Sequence, residues 1–145
     1  MRECVLDVSV AVKWALPGVR EHLTSEALEL LNLYASGEVA FIVPDLFWLE
    51  LGNALWKAVR LGRCSPEDAS KSMAAMRDRG LDTRSSDGLL EQALSIAITF
   101  DRTMYDSVYV ALAVRAQCQL ITADEKLASA LAAKLPVKWL GAIQP

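Results

Sequence analysis

Four carboxylates, Asp7, Glu50, Asp106 and Asp124, sit in apolar segments where a charge is costly. Asp7 ends the run Cys4-Val5-Leu6, and Glu50 interrupts Leu46-Phe47-Trp48-Leu49 and Leu51. Asp106 opens the stretch Ser107 to Ala113, and Asp124 follows Leu120-Ile121-Thr122. A carboxylate taken out of water must be paired, neutralised or bound to a cation. Four that converge repel one another unless a cation holds them, so their convergence would define a site for a hard divalent metal. Oxygen ligands with no His or Cys beside them select Mg²⁺ or Mn²⁺ rather than zinc. Such an ion takes one or two carboxylates, keeps several waters and binds substrate phosphate oxygens, which suits water attack on a phosphate ester.

Three neighbours can support these acids. Ser9 and Thr122 each lie two residues from an acid, Asp7 and Asp124 respectively, and their hydroxyls can orient a carboxylate or a metal-bound water. Asn53 is at i+3 from Glu50 on the same helix face. Lys57 is at i+7 on that face, two turns on, and with Arg60 close by is a candidate phosphate contact. Each residue also has a structural reading. Ser9, Asp106 and Asp124 fit helix caps, Asn53 fits a helix-to-helix hydrogen bond, and Lys57 and Arg60 fit solvated surface charges. Asp45, Glu91, Asp101 and Glu125 fit caps and exposed faces. Trp14, Trp48 and Trp56 fall at packing positions, and Trp48 with Trp56 fits a core or a subunit interface better than base stacking.

The elements that must position these residues alternate. Short strands are predicted at Glu3–Asp7, Ala40–Val43, Leu81–Arg84, Gln119–Thr122 and Val137–Leu140. Helices are predicted at Ser9–Leu16, stopped by Pro17-Gly18, at Thr24–Ser36, stopped by Gly37, and from Pro44-Asp45 to Leu61, closed by Gly62. Ser65-Pro66-Glu67-Asp68 supplies a cap, a proline at the first helical position and first-turn acids for a helix to Arg79. Leu89–Phe100, Asp106–Ala116 and Glu125–Lys134 complete the set. This alternation predicts an α/β fold with a central, mainly parallel sheet. Sites in such folds form beyond the carboxyl ends of the strands. Asp7 and Asp124 follow strands, while Glu50 and Asp106 lie near helix starts, so all four are placed to reach one pocket.

Composition bounds the rest. The chain has 145 residues, of which 53% are hydrophobic, enough for a single domain over residues 1–145 with one sizeable core. Charged residues break every apolar run short of a membrane span. The three cysteines, Cys4, Cys64 and Cys118, fit no zinc pattern and read as reduced thiols, so a cytoplasmic location is expected. A net charge of −3 argues against a broad basic surface, although four clustered acids lower that count themselves. The one histidine, His22, lies in a polar, turn-like stretch and reads as a surface residue, which excludes two-histidine ribonuclease chemistry within one chain.

At these four acids the chain resembles the PIN-domain ribonucleases of the VapC toxin type, over nearly its whole length. Val5-Leu6-Asp7-Val8-Ser9 is similar to the first motif of that family, and Leu49-Glu50-Leu51-Gly52-Asn53 to the second. Tyr105-Asp106-Ser107-Val108-Tyr109 is similar to the third, and Leu120-Ile121-Thr122-Ala123-Asp124 to the fourth. The resemblance implies a PIN-like three-layer α/β/α fold with a mainly parallel central sheet. It implies endonucleolytic, Mg²⁺- or Mn²⁺-dependent cleavage of RNA, with Asp7, Glu50, Asp106 and Asp124 as catalytic and metal-binding acids and Ser9, Asn53 and Thr122 in support. It also implies a homodimer and a small antitoxin partner whose tail enters the acidic pocket. Two rivals remain from the residues themselves. One is a phosphatase or phosphoryl transferase with Asp7 as nucleophile, although Ser9 stands where a dehalogenase-like enzyme has a second Asp. The other is a noncatalytic RNA- or protein-binding module.

Overall fold

Strand β1 (Arg2–Leu6) runs up the middle of the molecule with two of its five residues exposed and the last three buried. The computed structural model describes residues 2–17 and 22–143; the helix stop expected at Gly18 lies outside them. Helices α1 (Val8–Ala15) and α2 (Thr24–Ala35) lead to β2 (Val39–Pro44), and α3 (Leu46–Arg60) and α4 (Pro66–Asp78) lead to β3 (Asp82–Arg84). A single 3₁₀ turn then precedes α5 (Leu90–Phe100), followed by α6 (Met104–Ala116), β4 (Gln119–Thr122), α7 (Glu125–Leu131) and β5 (Val137–Trp139).

Among the described residues the strands form one five-stranded sheet of order β3-β2-β1-β4-β5. Every pairing is parallel, from Cys4 opposite Phe41 to Leu120 opposite Val137. Parallel strands need covered faces, and the central ones accordingly read as near-continuous apolar runs: Val5, Leu6, Ile42, Val43, Leu120 and Ile121 are all buried. The chain order reverses direction beside β1, so the carboxyl ends of β1 and β4 flank the crevice where such sheets bind ligands.

Local chemistry explains the helix ends. Ser65 accepts a hydrogen bond from the Asp68 N–H at 3.1 Å, with Pro66 opening α4. Gly62, at φ +72°, closes α3 in a left-handed turn, with Arg63 N–H donating to the Ala58 carbonyl at 2.8 Å. Every residue of α6 from Ser107 to Ala113 is buried, so this helix is enclosed by the sheet and α5 instead of presenting a wet face.

Most expected boundaries hold to within a residue, and two helices shift by more. Helix α6 begins at Met104, not at Asp106, because Thr103 takes the cap position and accepts from the Asp106 N–H at 3.1 Å. Helix α7 ends at Leu131 instead of Lys134, because the chain turns tightly through Lys134 and Leu135, both bonded to the Leu131 carbonyl, to enter β5 after Pro136. Asp45 and Asp101 are cap residues as expected, Asp45 accepting from the Leu46 N–H and Asp101 holding a left-handed turn after α5. His22 is exposed.

Candidate active site at the carboxyl edge of the sheet

Asp7 leaves β1 and occupies the cap position of α1, yet its side chain makes no capping bond. It is only 8% exposed. Its Oδ2 accepts from the Ser9 hydroxyl at 2.6 Å and from the Thr122 hydroxyl at 2.7 Å. Burial pushes its pKa above the ordinary carboxylate range; the two hydroxyls pull it back in part, and the nearby Asp106 charge raises it further. Ser9 also accepts from the Ala123 N–H at 3.0 Å, and Thr122 from the Asp124 N–H at 3.0 Å. These two hydroxyls therefore stitch the end of β4 to the start of α1 around one carboxylate. Ser9 lies inside α1 and is not the cap that its position beside a helix start allowed.

Glu50 sits on the second turn of α3 and is half-buried. Its Oε1 accepts from the Tyr109 hydroxyl at 2.8 Å, a bond from α3 to α6. Burial raises its pKa, the Tyr109 bond lowers it, and the charges of Asp7 and Asp106 raise it again. Asp106, half-buried on the first turn of α6, is also raised, first by burial and then by Asp124, with Arg102 and the Thr103 hydroxyl acting against the rise. Mutual repulsion thus links Asp7 to Glu50 and Asp106, Glu50 to Asp106, and Asp106 to Asp124.

Asp124 corrects the premise that all four acids sit among apolar groups. It is exposed, and its Oδ1 caps α7 by accepting from the Leu127 N–H at 3.1 Å. The apolar residues before it belong to the buried strand β4, and the chain has already left the core by residue 124. Trp56 departs in the same way. It is 56% exposed, with the Arg60 guanidinium 5.5 Å from its ring centroid, and is not core. Trp14 is buried, its indole N–H donating to the Ala27 carbonyl at 2.8 Å. Trp48 packs edge-on against Phe47.

Glu50, Asn53 and Lys57 line one open groove of about 550 Å³, together with Val8 and Tyr105. Asn53 is exposed there, so it does not serve as a buried helix-to-helix bond. Arg60 lies outside the groove lining. The sequence reading missed Tyr109, Arg102 and Thr103. A tyrosine inside the apolar run Val108–Ala113 signals a buried phenol that needs an acceptor. The Thr103-x-x-Asp106 spacing is a capping-box pattern that marks the true helix start.

The donor set is carboxylate and hydroxyl oxygen, which suits a hard divalent cation. Among the described residues no three His, Cys, Asp or Glu side chains are gathered closely enough to enclose an ion. A cation here would meet few carboxylates directly and reach the others through water, the habit of Mg²⁺. Asp7 fits poorly as a phosphoryl-accepting nucleophile, because its buried Oδ2 already accepts two hydroxyl bonds.

A parallel sheet with acids gathered at its carboxyl edge places the molecule in the broad class of open α/β proteins that bind ligands beyond their strand ends. The chain belongs to the PIN-domain family, whose sequence pattern matches residues 4–132. It is 31% identical over 130 residues to Ribonuclease VapC3 of Pyrobaculum aerophilum, covering 86% of this chain and 91% of that protein. Its fold is similar to the crystal structure of a Pyrobaculum aerophilum protein, with a TM-score of 0.72 and 24% identity over 97% of this chain and 85% of that one. It is also similar to a VapBC2 structure from Rickettsia felis, bound to a DNA fragment from its promoter. That match has a TM-score of 0.69 and 12% identity, covering 94% of this chain and 98% of that one. The PIN-like α/β/α architecture expected from the sequence is therefore the observed one.

Proposed function

We propose that this protein is an endoribonuclease, dependent on Mg²⁺ or Mn²⁺, that acts as the toxin of a toxin–antitoxin pair, with residues 1–145 working as one PIN unit. The observation that carries this reading is the electrostatic linkage of Asp7, Glu50, Asp106 and Asp124 at one edge of a PIN-type sheet. Carboxylates held this close call for a counter-charge, and the relative named Ribonuclease VapC3 supports RNA cleavage as the use made of it.

A divalent ion held by Asp7, Glu50, Asp106 and Asp124 would polarise the scissile phosphate and lower the pKa of the attacking water. The protein supplies position. Ser9 and Thr122 fix Asp7, Tyr109 fixes Glu50, and Asp106 faces both from the first turn of α6. Asp124 keeps Oδ1 on the Leu127 N–H, so Oδ2 is the atom left to hold a water. Asn53 and Lys57 line the groove beside Glu50, where Asn53 would orient water and Lys57 would meet a backbone phosphate; Arg60, one turn on and outside that lining, would meet a phosphate beyond the groove.

The proposed partners are the RNA substrate, a small antitoxin and a second copy of the chain. The Rickettsia felis neighbour is a VapBC assembly, which supports an antitoxin. An exposed apolar stripe on α5, formed by Leu90, Leu94 and Ile98, supports a protein interface. Among the described residues no helix is long and apolar enough to cross a membrane.

The test is incubation of purified protein with single-stranded RNA and Mg²⁺ or Mn²⁺, with and without EDTA, beside Asp7→Asn and Asp106→Asn. Cleavage by the wild type alone, abolished by EDTA, is expected. Equal cleavage by all three proteins would overturn the assignment. Growth arrest on expression, relieved by a small neighbouring reading frame, is the expected sign of the toxin role.

A further inference from the structure

Both buried ends of the acidic site treat their carboxylates in one way. The Ser9 and Thr122 hydroxyls fall on a single oxygen of Asp7, Oδ2. The Tyr109 hydroxyl falls on a single oxygen of Glu50, Oε1, and among the described residues no hydrogen bond reaches Oε2. Tyr109 is 2% exposed and its ring is held in the enclosed helix α6, so the phenol has no water to turn to.

We propose that Tyr109 is a positioning residue that restricts Glu50 to one ligating oxygen, and that this restriction makes the site prefer Mg²⁺ or Mn²⁺ over Ca²⁺. The inference rests on the reading of Glu50 as a metal-binding acid. Mg²⁺ takes six ligands in tight octahedral geometry and is content with single carboxylate oxygens. Ca²⁺ takes six to eight oxygens, and bidentate carboxylates commonly supply two of them. For Glu50 to chelate with both oxygens, its carboxylate must turn so that Oε1 shares itself between Tyr109 and the ion, and weakening the acceptor of a buried hydroxyl is costly. The hydroxyl therefore acts against the larger ion without touching either one. A purely structural Tyr109, one that only ties α3 to α6, would leave the choice of ion alone.

The experiment measures Mg²⁺, Mn²⁺ and Ca²⁺ binding by calorimetry for wild type, Tyr109→Phe, Glu50→Gln and the double variant, with melting temperatures recorded for each. Removing a hydrogen-bond partner of a ligand typically lowers metal affinity by about 10-fold or more. Tyr109→Phe is expected to lose Mg²⁺ and Mn²⁺ affinity on that scale and to hold or gain Ca²⁺ affinity. The Mg²⁺-to-Ca²⁺ preference then falls by about 10-fold. In the Glu50→Gln background the same change is expected to leave the preference where it was. A folded Tyr109→Phe with the wild-type preference overturns the inference, as does an equal shift in both backgrounds. These outcomes leave the nuclease reading standing. Wild-type protein that binds neither Mg²⁺ nor Mn²⁺ overturns both.

Discussion

The two ends of the central sheet carry openings of similar size and opposite character. At the amino end, about 570 Å³ is enclosed by Arg2, Glu3, Cys4, Cys118, Gln119 and Lys138 among others. Its lining carries two basic groups, Arg2 and Lys138, and one acid, Glu3. Its thiols are shielded, with burial pushing Cys118 up to about 11 and Cys4 upward as well. Protonated thiols neither attack nor bind metal well. At the carboxyl end, a groove of about 550 Å³ opens beside Glu50, and among the described residues Lys57 in the lining and Arg102 near Asp106 leave the four acids in excess. Volume does not separate the two ends. An excess of acids at fixed positions does, and parallel strands place it at the carboxyl edge because every helix that follows a strand starts there.

The largest effect should come from removing a charge at the carboxyl edge. Asp7→Asn is expected to lower RNA cleavage by more than about 100-fold, since even loss of a group that only orients a ligand costs 10- to 100-fold. The same variant should melt a few degrees higher than the ion-free wild type, because an uncharged amide replaces a buried carboxylate and its oxygen still accepts from Ser9 and Thr122. Loss of both activity and stability would mean that Asp7 is simply structural.

Ion binding should follow in size. Mn²⁺ at about 100 times its dissociation constant stabilises the folded protein by about 2.7 kcal/mol. A rise in melting temperature is expected for the wild type, absent in Asp7→Asn and reversed by EDTA.

A smaller effect concerns pH. Asp7, Glu50 and Asp106 are all raised above their unfolded values, so the folded protein holds more protons across the window between the two. Without metal, stability should be highest near the unfolded carboxylate values and fall as pH rises through the raised ones. Asp45 and Asp82 are lowered and act in the opposite sense at more acid pH. Denaturant titrations in EDTA from weakly acid to neutral pH should show the decline, and saturating Mn²⁺ should flatten it. Stability that rises over this range in EDTA would contradict the burial of the three acids.

The smallest effect is expected at the other end of the sheet. Cys118→Ser or Lys138→Ala should leave cleavage within about 2-fold and shift stability by about 1 kcal/mol or less. A large loss of cleavage from either would erase the contrast between the two ends.

The sequence carried the carboxyl edge more clearly than the contacts within it. Asp7 and Asp124 end parallel strands, and that placement follows from the alternation of short apolar runs with longer helices. The partners of those acids come from other elements, so spacing along the chain reveals them unevenly. Ser9 and Thr122 stand two residues from an acid and were legible, although Ser9 proves to bond Asp7 and not to cap its helix. Tyr109 meets Glu50 across 59 residues, a distance that only the packing of α3 on α6 creates. Asp124 misled for a related reason: its apolar neighbours face the core, while the residue itself has turned out to solvent. The length of α7 depended on the turn needed to reach β5, which no local propensity of Ala132, Ala133 and Lys134 records.

The most direct measurement of the central claim is a Mn²⁺ titration followed by electron paramagnetic resonance, on wild type and Asp7→Asn at neutral pH. Saturable binding by the wild type, lost or weakened by more than about 10-fold in the variant, is the predicted result. The same Mn²⁺ affinity in both proteins would contradict a metal site built on these acids.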